Sequence, residues 1–136
     1  MAAIVIDASA TLGWLFDEGS AASKIKPVLD RSELISPWLW RLEVVNAVLV
    51  QQRRKILSQP QATRLLRLLD ELSIDLVPEP ATRTATSLAD FARPYQLTSY
   101  DAEYLDLAVR LGLPLLSRDG NLLAAAKRLG VQAIIP

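Results

Sequence analysis

AIVIDASA, residues 3–10, runs three β-branched residues, Ile4, Val5 and Ile6, into Asp7 and then into Ala8-Ser9-Ala10. A short apolar run of this kind reads as a strand buried on both faces, and Asp before helix formers reads as a helix cap. PLLSRDGNLLAAA, residues 114–126, repeats the arrangement: an apolar run, a polar turn ending at Asp119, then an apolar helix. Strand–turn–helix units like these build α/β folds around a parallel sheet.

The remaining sequence extends the alternation. Strands are predicted over 3–6, 33–36, 75–78, 114–117 and 133–135, a sheet of four to five strands. Helices are predicted over 20–31, 38–54, 60–72, 81–92, 99–111 and 119–129. Gly112 and Gly130 fall where helices should stop, Pro37 and Pro60 where they should start. Helices 38–54 and 60–72 follow one another with no strand between, so they should form a hairpin projecting from the sheet. Leu65, Leu68, Leu69 and Leu72 mark one face of its second helix, a face suited to core packing or to dimerisation. With no repeat, linker or low-complexity segment, residues 1–136 are expected to form a single domain.

Composition narrows the chemistry. The chain has neither Cys nor His. Disulfides, thiolate and imidazole catalysis, and the usual zinc sites are therefore excluded. What remains is carboxylates, hydroxyls, Lys/Arg and hard metal ions. Fifteen Lys+Arg balance fifteen Asp+Glu, so any nucleic-acid affinity must come from a local patch. Aromatic residues make up 6% of the chain, which argues against a base-stacking platform. No stretch approaches a signal core or a membrane span, so a soluble, cytoplasmic protein is expected.

Four acids stand apart from the solvated ones. Asp7 and Asp119 each end a strand, where a cap is the plain explanation. Asp101, in LTSYDAEYLDLA, lies in the first turn of a helix capped by Thr98 or Ser99, where acids complement the helix dipole. Asp106 is expected on that helix's outer face, with Leu105, Ala108 and Val109 inward. Glu43, in PWLWRLEVVNAVLV, is harder to explain. A Glu among so many apolar neighbours needs a partner or a cation, and Arg41 is a candidate partner. Asn46 shares its face and hints at a polar pocket. Ligands in open parallel sheets bind beyond the carboxyl ends of the strands. All four acids can reach one such edge, forming an all-oxygen site suited to Mg2+ or Mn2+.

The pieces IVIDASA (4–10), SPWLWRLEVVNAV (36–48), LTSYDAEYLDLA (97–108) and PLLSRDGNLLAAA (114–126) resemble the PIN-domain nucleases, in particular the VapC-type toxins of bacterial toxin–antitoxin pairs. By that resemblance Asp7, Glu43, Asp101 and Asp119 correspond to the family's four acids, and Asn46 and Ser117 to positions usually polar. Some relatives carry a further acid where this chain has Asn121, so a second metal site would be weak. The resemblance implies a three-layer α/β/α fold, Mg2+ or Mn2+ dependence, endoribonuclease activity, homodimers and a small cognate antitoxin.

With no His available, water activated by a bound cation is the expected nucleophile for phosphodiester hydrolysis. Asp7, Asp101 and Asp119 are the expected direct ligands, and Glu43 a ligand or an outer residue orienting water. Arg118 is a candidate either to hold a phosphate or to form a surface salt bridge, and Arg53, Arg54 and Lys55 are candidates to meet an RNA backbone, although a charge run at a helix end is more often simply solvated. A phospho-acceptor receiver domain also sets an Asp at a strand end. It needs an acidic pair after the first strand and a Lys after the last, and this chain has neither. A degenerate scaffold would not keep all four acids.

Overall fold

A computed structural model describes residues 1–16 and 21–136. Five strands form one sheet: β1 (Ala2–Ile6), β2 (Ser32–Pro37), β3 (Ile74–Val77), β4 (Leu115–Leu116) and β5 (Ala133–Ile134). Every pairing is parallel, in the order β3-β2-β1-β4-β5. Among the described residues seven α-helices accompany it: α1 (Ala8–Leu15), α2 (Ala21–Arg31), α3 (Trp40–Arg53), α4 (Gln59–Glu71), α5 (Ala85–Ala92), α6 (Ser99–Leu111) and α7 (Gly120–Arg128). Residue 20, the expected first residue of the helix over 20–31, lies outside the described residues. Among the described residues no helix is long and apolar enough to cross a membrane.

Alternation along the central strands creates two apolar layers, because successive side chains point to opposite faces. Val5 and Leu115 join a cluster with Trp40, Val44 and Val48 of α3, Ala62 and Leu69 of α4, Leu105 of α6 and Leu122 of α7. Ile4, Ile6, Leu34 and Leu116 face the other way, onto Ile25, Val28 and Leu29 of α2. The expected hairpin is α3 and α4. Its inner stripe enters the first cluster, while Leu42, Leu49, Ile56 and Leu68 stay exposed.

Several local expectations are corrected. Pro37 does not start a helix; it closes β2 in register with Val77, and α3 begins at Trp40. The helix over 81–92 begins later, at Ala85, because Thr84 and Ser87 form a reciprocal capping box there. Only Trp40, Val44 and Val48 of α3 are buried, so a single stripe of the helix faces the core. Val109 faces solvent, and Asp106 is partly buried. Asp106 and Glu103 both accept from Arg83, with Arg110 Nε also donating to Asp106 at 2.8 Å. That cluster ties α6 to the turn before α5. Pro60, Gly112 and Gly130 behave as read: Pro60 opens α4, and both glycines take the left-handed conformation at helix ends.

Candidate metal centre

The sheet order reverses between β1 and β4, and the crevice at such a reversal is where open α/β sheets bind ligands. β1 and β4 pair Val5 with Leu115 and Ile6 with Leu116. One step further along this register, Asp7 meets Ser117. The Asp7 N–H donates to the Leu116 carbonyl at 3.1 Å, and Ser117 Oγ donates to Asp7 Oδ2 at 2.6 Å. Asp7 Oδ1 accepts from the Ala10 N–H at 2.9 Å, the cap of α1. Ser9 Oγ lies 2.8 Å from both carboxylate oxygens and accepts from the Arg118 N–H at 2.9 Å. Asp119 caps α7 through the Leu122 N–H at 3.0 Å, and its own N–H donates to Ser117 Oγ at 3.0 Å. Ser117, fully buried, thus links the two acids. Both acids cap helices, and the same caps aim their carboxylates at one crevice.

The other two acids arrive on helices. Asp101 sits in the first turn of α6, capped by Thr98 Oγ1 at 3.1 Å from its N–H. Glu43 sits in the first turn of α3, half-buried. Its hydrogen-bond donor is not Arg41 but Tyr104 of α6, whose hydroxyl lies 2.8 Å from Glu43 Oε1. Asn46 is exposed and makes no polar pair with it. The Arg118 side chain folds back across Gly13 of α1, where any Cβ would collide with it. Arg53, Arg54 and Lys55 are exposed at the far end of α3.

Electrostatics join the four acids. Asp7 is 2% exposed, and burial raises its pKa against the pull of Ser117, Ala10 and Ser9, with the Asp119 charge adding to the rise. Burial likewise raises Glu43, helped by the charges of Asp101 and Asp7. Asp101 is pushed up to about 6 by burial and then by the charges of Asp119 and Asp7. Asp7 and Asp101 therefore feel the Asp119 charge, and Glu43 feels those of Asp101 and Asp7. The donors are oxygens only, the set that hard divalent cations take. As placed, the four share a field rather than a closed coordination sphere: among the described residues no three acidic side chains are grouped tightly enough to hold an ion. The residues fit a hard divalent cation in donor chemistry and in their need for one.

A pH dependence follows. Between the ordinary carboxylate range and about 6, the folded chain holds protons at Asp101 that the unfolded chain has released. The Asp101 contribution to stability without a cation is therefore fullest at low pH and is lost as pH rises through about 6. One pKa unit corresponds to about 1.4 kcal/mol, and solvent screening of a half-buried group reduces the effect to roughly 1–2 kcal/mol. Thermal unfolding in EDTA should show a lower Tm at pH 7.5 than at pH 5, and saturating Mn2+ should remove the difference. An unchanged or higher Tm at pH 7.5 in EDTA would contradict the coupling.

The structure links Asp7, Asp119 and Ser117 directly and couples Asp101 and Glu43 to Asp7 through charge, while the contacts of Ser9 and Tyr104 have no counterpart in the sequence reading. Tyr104 gives a signal in hindsight, three residues after Asp101 on the same helix face.

A profile describing the PIN domain matches residues 4–128. Ribonuclease VapC46 of Mycobacterium tuberculosis is 30% identical over 139 residues, covering 100% of this chain and 99% of that protein. Among solved structures, PAE2754 from Pyrobaculum aerophilum superposes with a TM-score of 0.69 at 25% identity, over 98% of this chain and 89% of that one. VapBC2 from Rickettsia felis, bound to a DNA fragment from its promoter, gives a TM-score of 0.66 at 8% identity, covering 98% of each chain; at that identity the likeness concerns the fold alone.

Proposed function

The chain belongs to the PIN-domain family, and from that premise we propose that it is a divalent-cation-dependent endoribonuclease acting as the toxin of a toxin–antitoxin pair. Residues 1–136 act as one PIN domain. The substrate class is RNA, with a structured RNA such as tRNA or rRNA as the target, and the outcome is inhibited translation and growth. A small cognate antitoxin neutralises the protein, which works in the cytoplasm as a homodimer.

One observation carries this reading: four carboxylates from four separate elements lie about the sheet's reversal point, and burial together with neighbouring acidic charge raises the pKa of Asp7, Glu43 and Asp101. A purely structural design would pair such acids with Arg or Lys, as Glu103 and Asp106 are paired with Arg83. Asp7, Asp101 and Asp119 would hold Mg2+ or Mn2+, with Glu43 as a further ligand or orienting a water. Bound there, the cation would supply Lewis-acid stabilisation of phosphoryl charge and make a water more acidic than in bulk. The chain's own residues do the rest. Ser117 and Ser9 hold the Asp7 carboxylate in one orientation, the α1 and α7 caps fix Asp7 and Asp119, and Tyr104 holds Glu43.

Two experiments test it. Purified protein with Mg2+ should cut structured RNAs internally, giving discrete products from both 5′- and 3′-labelled substrates; exonucleolytic trimming or inert RNA would count against an endoribonuclease. Expression without an antitoxin should stop growth and translation, and unaffected growth would remove the toxin reading.

A further inference from the structure

We propose that Tyr104 is the positioning residue for Glu43, its phenol fixing one carboxylate oxygen so that the other is left for the cation. The inference rests on the metal-dependent reading above and assigns a new role within that site. Tyr104 is 1% exposed and belongs to the larger core cluster, packed with Leu105, Leu107 and Ala108 of its own helix. Its ring is therefore held by packing, while its hydroxyl reaches out of the core to Glu43 Oε1 at 2.8 Å. The contact joins residues 61 apart in sequence and spans two helices, α3 and α6.

Glu43 needs such a partner. It is half-buried in the first turn of α3, its side chain has several rotatable bonds, and a freely sampling Glu loses entropy whenever it binds. Among the described residues the phenol is its one hydrogen-bonding side chain. Core packing alone does not call for the hydroxyl, since Phe would fill the same volume. Asp101 lies one helical turn before Tyr104, on the same face. A single helix therefore delivers one acid directly and sets the orientation of a second. Arg83 holds that helix through Glu103 and Asp106, which flank Tyr104 at its near and far sides in sequence.

The test uses the full chain and direct Mn2+ binding, followed by electron paramagnetic resonance or calorimetry, at a temperature where circular dichroism shows every variant folded. Tyr104→Phe should weaken Mn2+ binding by about 10–100-fold, the range for residues that orient ligands. In a Glu43→Ala background the same Tyr104→Phe change should have no further effect, because there is no carboxylate left to orient. Tyr104→Phe binding Mn2+ as tightly as the native chain overturns the inference. So does an equal loss in the Glu43→Ala background, which would reveal a general packing effect. A native chain that binds no Mn2+ sinks the metal-dependent reading itself, and this inference with it.

Discussion

Asp7→Asn is expected to lose at least about 100-fold in RNA cleavage and yet to unfold at a higher temperature than the native chain in EDTA. The loss exceeds the 10–100-fold typical of residues that only orient ligands, because Asp7 is assigned as a ligand itself. The gain has a separate origin. Asp7 is 2% exposed, and its ionised form is disfavoured by burial and by the Asp119 charge. Asn caps a helix about as well as Asp, so the Ala10 N–H keeps its acceptor. Ser117 and Ser9 carry hydroxyls that donate or accept, and they can serve the amide too. Removing the charge therefore relieves a cost without breaking the cap. Cleavage rates with Mg2+, and thermal unfolding in EDTA at pH 7.5, measure the two effects. Intact cleavage with a lowered Tm would mean that Asp7 is a structural cap and nothing more.

Arg83→Ala should damage the fold strongly although it lies away from the candidate site. Arg83 is largely buried and reaches Glu103 with one guanidinium nitrogen and Asp106 with another. Breaking a buried pair by removing one partner costs about 3–5 kcal/mol, because the remaining charge is stranded. Asp106 keeps Arg110 at 2.8 Å, which places the expected cost near the lower end, about 3 kcal/mol. For a chain of this size that is a fall in Tm of roughly 10 °C. The deficit should shrink at low pH. Burial already raises the Glu103 pKa while Arg83 opposes the rise, so without Arg83 the group protonates more readily and the stranded charge disappears. A deficit independent of pH would show that Arg83 matters through packing alone.

Much of this was legible in the sequence. Period and punctuation placed the strands, since Ile4-Val5-Ile6 and Leu115-Leu116 are buried cores of a parallel sheet and read as such. The four acids were legible because each sits at an element boundary or in an apolar setting where a charge needs a reason. The misreadings share a cause. Pro favours a helix start, yet pairing with β3 carries the strand through Pro37. Arg41 was the nearest cation to Glu43 in sequence, whereas the true partner lies 61 residues away. Arg83 and Glu103 look like ordinary surface charges until the turn before α5 is folded onto α6. Long-range pairing of polar groups leaves no local trace in sequence, while hydrophobic period and caps do.

The central claim is that four carboxylates form one cation site that drives RNA hydrolysis. The most direct measurement follows one RNA substrate with one protein preparation, first in EDTA and then after excess Mg2+ is restored. The account predicts no cleavage in EDTA and full recovery with Mg2+. Cleavage that persists at the same rate under chelation would contradict it.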